Sequence, residues 1–154
     1  DIREAFTFVD QIRQPVEEAF NANFGDTEVI AIHVRRGDYL AHKHHIKQST
    51  EYYAKGLAHM PKDIPVMVFS DGLDWCKEQE VFSDDRFLFA EGNNTGVDLC
   101  LQSLCDYHII GNSSFSWWGS WLGKSKKTVA PSYWFHEELD KDPKDLYLDG
   151  WEII

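Results

Sequence analysis

One short segment gathers the side chains best suited to holding an anion: His33-Val34-Arg35-Arg36-Gly37-Asp38. Two adjacent arginines at the end of an apolar run are costly unless something negative meets them. The guanidinium is a planar fork that matches phosphate oxygens, and Arg35 is read as a phosphate ligand. Arg36 has two readings of equal weight, a second phosphate contact or an ion pair with Asp38 that holds the loop. His33 sits inside the apolar run, where a satisfied core histidine is the usual occupant.

A second segment, Asn112-Ser113-Ser114-Phe115-Ser116-Trp117-Trp118-Gly119, places three hydroxyls where a strand should hand over to a helix. Free amides at a helix start, joined by hydroxyl donors, make an anion site. Plain N-capping by Ser114 or Ser116 is compatible with that role. Trp117, Trp118 and Trp121 fall at helical spacing and are read as core. Asp98, at the head of an expected helix over 98–105, is either a cap favoured by the helix dipole or an acceptor for the N1–H and exocyclic amine of guanine. Asp71, after the apolar run 65–70, has the same ambiguity, with capping preferred.

The elements that position these residues follow from periodicity. Phe6, Val9, Ile12, Val16 and Phe20 recur at helical spacing, with a kink or break expected at Pro15. Segments 29–34 and 65–70 are short, apolar and bounded by turn residues, as buried strands are. Further strands are expected over 86–90, 107–110 and 128–130. Helices are expected over 49–59, capped by Ser49 or Thr50, over 71–80, and from Ser116 to Leu122. Strands alternating with helices predict an α/β fold, a parallel sheet with helices on both faces, which the resemblance given below implies to be Rossmann-like. Ligands of such sheets bind beyond the carboxyl ends of the strands. That rule selects 35–38, 70–71, 91–94 and 111–116.

The bulk numbers set limits. The 154 residues suffice for one domain with a real core, and 43% of them are hydrophobic. A net charge of −11 argues against nucleic acid and anionic membranes as partners. No apolar run is long enough to span a bilayer. Cys76, Cys100 and Cys105 fit neither a disulfide framework nor a zinc template, which favours a reducing compartment. Residue 1 is Asp rather than Met, so an excised domain is expected. Asp140-Lys141-Asp142 has the form of a metal-binding pair, but it lies in an acidic tail and is read as solvated charge. His42, His44 and His45 are read as part of a polar loop, not a metal site.

The segment from His33 to Tyr39 resembles the His-x-Arg-Arg-x-Asp motif shared by α-1,2-, α-1,6- and protein O-fucosyltransferases. The run from Ser113 to Leu122 is very similar to the signature of bacterial α-1,2-fucosyltransferases, glycosyltransferase family 11. Tyr52-Tyr53, Phe69-Ser70-Asp71 with Trp75, 131–135 and Gly150-Trp151 fit as well, so the likeness covers nearly everything from Glu28 onward.

The resemblance implies one domain of a GT-B-like enzyme, with residues 1–154 as the GDP-fucose-binding donor domain and the acceptor-side half expected before residue 1. It implies inverting transfer of fucose to the 2-hydroxyl of a galactose-terminated glycan, without a metal or other cofactor. Arg35 and His33 become the catalytic residues, Arg35 on the GDP phosphates and His33 against the nucleotide. Arg36 supports Arg35. Ser113, Ser114, Phe115 and Ser116 surround the diphosphate, and Asp98 takes the guanine. Asp38 and Asp71 are left as structural or undecided. The expected location is the cytoplasm or the cytoplasmic face of a membrane, as in bacterial enzymes. Two alternatives stand beside this: a nucleotide-sugar-binding module inactive in isolation, and a fucosyltransferase of another linkage.

Overall fold

The computed structural model describes residues 2–41, 46–123 and 125–154. His42, His44 and His45 lie outside the described residues. Six strands form one sheet: β1 (Ile30–Val34), β2 (Val66–Ser70), β3 (Phe87–Phe89), β4 (Tyr107–Ile109), β5 (Lys127–Ala130) and β6 (Glu152–Ile153). Their order is β3-β2-β1-β4-β5-β6, and every neighbouring pair is parallel. This is the doubly wound order, with its reversal between β1 and β4. The expected α/β class is therefore the observed one.

The helices are α1 (Ile2–Ala5), α2 (Asp10–Phe24), α3 (Thr50–Ala58), α4 (Leu73–Lys77), α5 (Thr95–Leu104) and α6 (Ser114–Leu122). Strand alternation sorts the core onto two faces. Ile30, Ile32 and Val34 pack with Tyr52, Tyr53, Val68 and Phe82 on one side. Val29 and Ala31 pack with Phe20, Phe69 and Cys105 on the other. A third cluster of Ile110, Ala130 and Trp134 takes in Trp117 and Trp151. Each β1 side chain is fully or nearly fully buried, which fits a strand covered on both faces.

Four details correct the reading of the elements. Pro15 lies inside α2 without ending it; the interruption falls instead at 6–9, between α1 and α2. Phe6 there stacks on Trp118 with ring centroids 5.2 Å apart. The expected helix 71–80 is only α4 plus a 3₁₀ turn, Glu80–Phe82. α5 begins earlier than Asp98, with Asn94 as its cap, accepting from the Val97 N–H at 3.0 Å. β6 was not anticipated. It is two residues long, too short to show any periodicity, and it pairs with β5.

α5 and α6 pack closely because Gly119 carries no side chain: a Cβ there would lie 2.8 Å from Gln102 Oε1. Beneath them His108 is fully buried. Its Nε2 donates to the Gln102 carbonyl at 2.7 Å, which leaves Nδ1 to accept from Ser125 Oγ at 2.9 Å. The three cysteines are all buried and unpaired.

Burial lowers the pKa of both His33 and His108 to about 4, from 6.5. The folded state holds them neutral, whereas the unfolded chain protonates them at 6.5. Their contribution to stability is present above that value and is lost as pH falls towards 4. At roughly 1.4 kcal/mol per pKa unit, each removes about 3 kcal/mol. Asp98, whose pKa burial raises, acts in the opposite sense over its own range. The thermal-unfolding midpoint should therefore drop steeply between pH 6.5 and 4. A midpoint constant across that window would contradict the assignment.

Among the described residues, no helix is long and apolar enough to cross a membrane.

Candidate functional site

The two arginines after β1 part company. The Arg35 guanidinium lies between two carboxylates, with Nη2 2.6 Å from Asp38 Oδ1 and Nη1 3.1 Å from Asp71 Oδ2. Its central carbon sits 5.4 Å from the centre of the Tyr39 ring. The Arg36 guanidinium instead lies 3.6 Å over the ring of Trp75. The ion pair considered for Arg36 and Asp38 thus belongs to Arg35, and Arg36 is a packed cation.

Asp71 is not a helix cap. Gly72 precedes α4 without any side-chain cap bond, and Asp71 Oδ1 accepts from the Arg36 backbone N–H at 2.7 Å. One carboxylate thereby fixes both the loop backbone and the Arg35 fork. Gly37 permits this approach, since a Cβ there would fall 2.3 Å from Asp71 Oδ2.

Across the switch point, the loop after β4 leads into α6. Ser113 is the cap, its Oγ accepting from the Phe115 N–H at 3.3 Å, in place of the expected Ser114 or Ser116. The Trp117 N–H closes the first turn on the Ser113 carbonyl, so the amides before it have no acceptor within the helix. Ser114 is exposed at this end. Ser116 is 0% exposed, with its hydroxyl directed to the Gly111 and Ser113 carbonyls at 3.3 and 3.2 Å. It holds the loop from below rather than meeting a ligand.

Beyond the carboxyl ends of β1, β2 and β3 lies a pocket of about 230 Å³. It joins five of the residues singled out in the sequence: His33, Arg35, Asp71, Asp98 and Phe115. Phe69, Ser70, Asn93 and Thr95 complete its walls. Phe69 and Ser70 belong to the family-like run already noted, whereas Asn93 and Thr95 were not named individually. The strand-end rule had selected Ser70 and Asn93 within the 70–71 and 91–94 loops, while Thr95 lies one residue beyond them as the first residue of α5.

Each end of the pocket has its own chemistry. Asp98 sits one turn into α5, where its carboxylate accepts from Asn93 Nδ2 at 3.0 Å. Burial raises its pKa, and the Asn93 bond only partly offsets this. Among the described residues no cation pairs with it. A desolvated carboxylate of this kind favours N–H donors from a ligand. At the other end the Arg35 fork can bind an anion, while the amides opening α6 follow the turn that carries Phe115 into the pocket. Between them the rings of His33 and Phe115 lie 5.4 Å apart. His33 is neutral, since burial outweighs the pull of Asp71. Its Nδ1 is buried with no hydrogen-bond partner among the described residues. A carboxylate for N–H donors, an aromatic middle and an anion end together suit a purine nucleotide.

The Asp140-Lys141-Asp142 run does not line this pocket. Asp140 is an exposed left-handed turn residue, and Asp142 accepts from the Lys144 N–H at 2.9 Å.

The family model described as "Glycosyl transferase family 11" matches residues 1–154. An α-1,2-colitosyltransferase of Escherichia coli is 40% identical over 73% of this chain and 43% of its own length. The O-antigen biosynthesis glycosyltransferase WbnK of the same organism is 30% identical over 79% of the chain, again 43% of its own length. The human galactoside α-(1,2)-fucosyltransferase 1 is 25% identical over 79% of the chain and 38% of its own length. The chain thus spans about two fifths of the length of these relatives. No solved structure matches it. With the parallel sheet, the arginine loop and the serine-capped helix in place, the chain belongs to glycosyltransferase family 11.

Proposed function

We propose that this chain is the donor-binding domain of an inverting fucosyltransferase that uses GDP-fucose and a galactoside acceptor. The observation that carries the proposal is the single pocket linking a desolvated Asp98 to the Arg35 fork. Asp98 accepts from the guanine N1–H and exocyclic amine, with Asn93 holding the carboxylate in place. Phe115 and His33 flank the nucleotide. Arg35, Ser113 and Ser114 meet the diphosphate.

The reaction breaks the bond between the sugar anomeric carbon and the diphosphate oxygen. It forms a bond from that carbon to the acceptor 2-oxygen, whose proton is lost to a base. The transition state is oxocarbenium-like, and negative charge grows on the departing GDP. Arg35 and the amide end of α6 stand where that charge develops. These donors take the role a divalent cation plays in other transferases, so the proposal includes metal-independent donor binding. Arg36 acts through packing and Ser116 through the loop. The remaining length of the relatives is proposed to supply the acceptor-side domain of a GT-B arrangement.

The test is a product assay on a protein of full family length carrying this chain, with GDP-fucose and lactose, the product linkage being read by NMR. An α-1,2-fucoside is expected. A product of another linkage, or none, overturns the proposed activity. If the chain by itself binds GDP-fucose without turnover, it is a binding module that needs the rest of the protein.

A second donor is favoured by the relative named as a colitosyltransferase. Colitose lacks the 3-hydroxyl of fucose. Parallel assays with GDP-colitose decide between the two sugars.

A further inference from the structure

Arg35 carries two carboxylates, and the fold holds them differently. Asp71 is tied down. It follows β2 in a turn closed by the Gly72 N–H, which donates to Ser70 Oγ at 2.9 Å. Its Oδ1 takes the Arg36 N–H at 2.7 Å and its Oδ2 takes Arg35 Nη1 at 3.1 Å. Its side chain is 29% exposed and lines the pocket. Asp38 is held by one partner. Among the described residues its carboxylate bonds only Arg35 Nη2, at 2.6 Å. Its side chain is 52% exposed and is not part of the pocket wall. We propose that the two have opposite roles in donor binding: Asp38 occupies Arg35 and yields to the diphosphate, whereas Asp71 is a positioning residue that keeps the guanidinium aimed. The proposal rests on the donor-domain reading for the identity of the anion.

A phosphate is gripped best by two parallel N–H bonds from one edge of the guanidinium. Each such edge includes Nη1 or Nη2, and each of these faces a carboxylate. A diphosphate that makes both bonds therefore displaces one of them. Asp38 is the easier to move. An ion pair this exposed contributes little, and water replaces Arg35 around the freed carboxylate. Moving Asp71 would also strip the Arg36 N–H of its acceptor. It would do so in a loop packed so closely that a Cβ on Gly37 would fall 2.3 Å from Asp71 Oδ2.

The exchange needs no shift of the backbone. Tyr39 tethers the turn, its hydroxyl donating to the Asn112 carbonyl at 3.0 Å, so rotation of the Asp38 side chain suffices. The pocket wall includes Arg35 and Asp71 but not Asp38. Asp38 thus marks the outer side of the guanidinium, where phosphates leaving a pocket that holds the base at Asp98 would pass.

Titration calorimetry with GDP on isosteric variants reads the two roles as opposite signs. Asp38→Asn removes the competitor and should tighten GDP binding about two- to fivefold. Asp71→Asn should weaken it at least about fivefold, since an amide offers one acceptor oxygen to two donors. Loss of the Asp71 charge alone would favour an anion, so weaker binding reports lost aim rather than lost charge. In an Arg35→Lys background no fork remains to be aimed, and there the Asp71→Asn loss should shrink below about twofold. A purely structural role for Asp71 would leave the loss equal in both backgrounds. Asp38→Asn alters an exposed side chain and keeps the proposal testable should Asp71→Asn fail to fold. Weaker or unchanged GDP binding in Asp38→Asn overturns the proposal, as does stronger or unchanged binding in Asp71→Asn. A parent chain that binds no GDP overturns the donor reading and this proposal with it. A parent that binds GDP while both variants weaken it overturns this proposal alone.

Discussion

Arg35→Ala should reduce GDP affinity by about a hundredfold or more, since each hydrogen bond to a charged group contributes roughly 1.5–3 kcal/mol and a phosphate can take two from one fork. The structure makes the loss larger than the removal of two bonds. Arg35 is the cation between Asp38 and Asp71. Without it, two carboxylates face the incoming diphosphate with no compensating charge. Arg35→Lys restores a charge but not the fork, and should recover only part of the affinity. Arg36→Ala is the informative contrast. Its guanidinium packs on Trp75, so its removal should lower stability by about 1 kcal/mol and change GDP affinity little. Calorimetry and thermal unfolding on the three variants separate the roles. Equal losses of GDP affinity in Arg35→Ala and Arg36→Ala would contradict the division of labour.

The second large effect is expected at Asp98. Its carboxylate is desolvated and carries only the Asn93 hydrogen bond. Guanine offers two adjacent N–H donors to it. Asp98→Asn should cost GDP about thirtyfold in affinity, since it replaces a charged acceptor with a neutral amide that also presents its own N–H₂. The base preference should change as well. Inosine diphosphate keeps N1–H but lacks the exocyclic amine. The parent chain should bind GDP well above inosine diphosphate, and Asp98→Asn should bring the two close together. Since the pKa of Asp98 is raised, GDP affinity should also fall on acidification, as the protonated carboxyl loses its acceptor strength. A variant that retains the GDP preference would remove Asp98 from the base-binding role.

The strands that carry this site were legible because their signals are local. β1 and β2 are apolar runs ending in polar loops, and the strand-end rule led from them to the loops that line the pocket. The Ser49 cap of α3 was legible for the same reason: its Oγ accepts from the Tyr52 N–H three residues on. What the sequence did not reveal depends on contacts between distant segments. Nothing near Arg35 tells that Asp71, from another strand, will occupy its second edge, nor that Trp75 will draw Arg36 away. Ser114 and Ser116 are as plausible as caps as Ser113 until the backbone places Ser116 under the loop. The start of α5 was hidden by Gly96, a poor helix residue tolerated where the helix passes Ile12, whose Cδ1 would be 3.1 Å from a Cβ. Pro15 was over-read: the chain breaks near Phe6, where an aromatic contact with Trp118 forms.

The central claim is that Asp98 and Arg35 grip opposite ends of one guanine nucleotide without a metal ion. Isothermal titration of this chain with GDP in the presence of a chelator tests it most directly. One-to-one binding that survives chelation and is lost in Arg35→Ala is the predicted result. A folded chain that shows no GDP binding at millimolar concentration, or that binds only when a divalent cation is added, would contradict it.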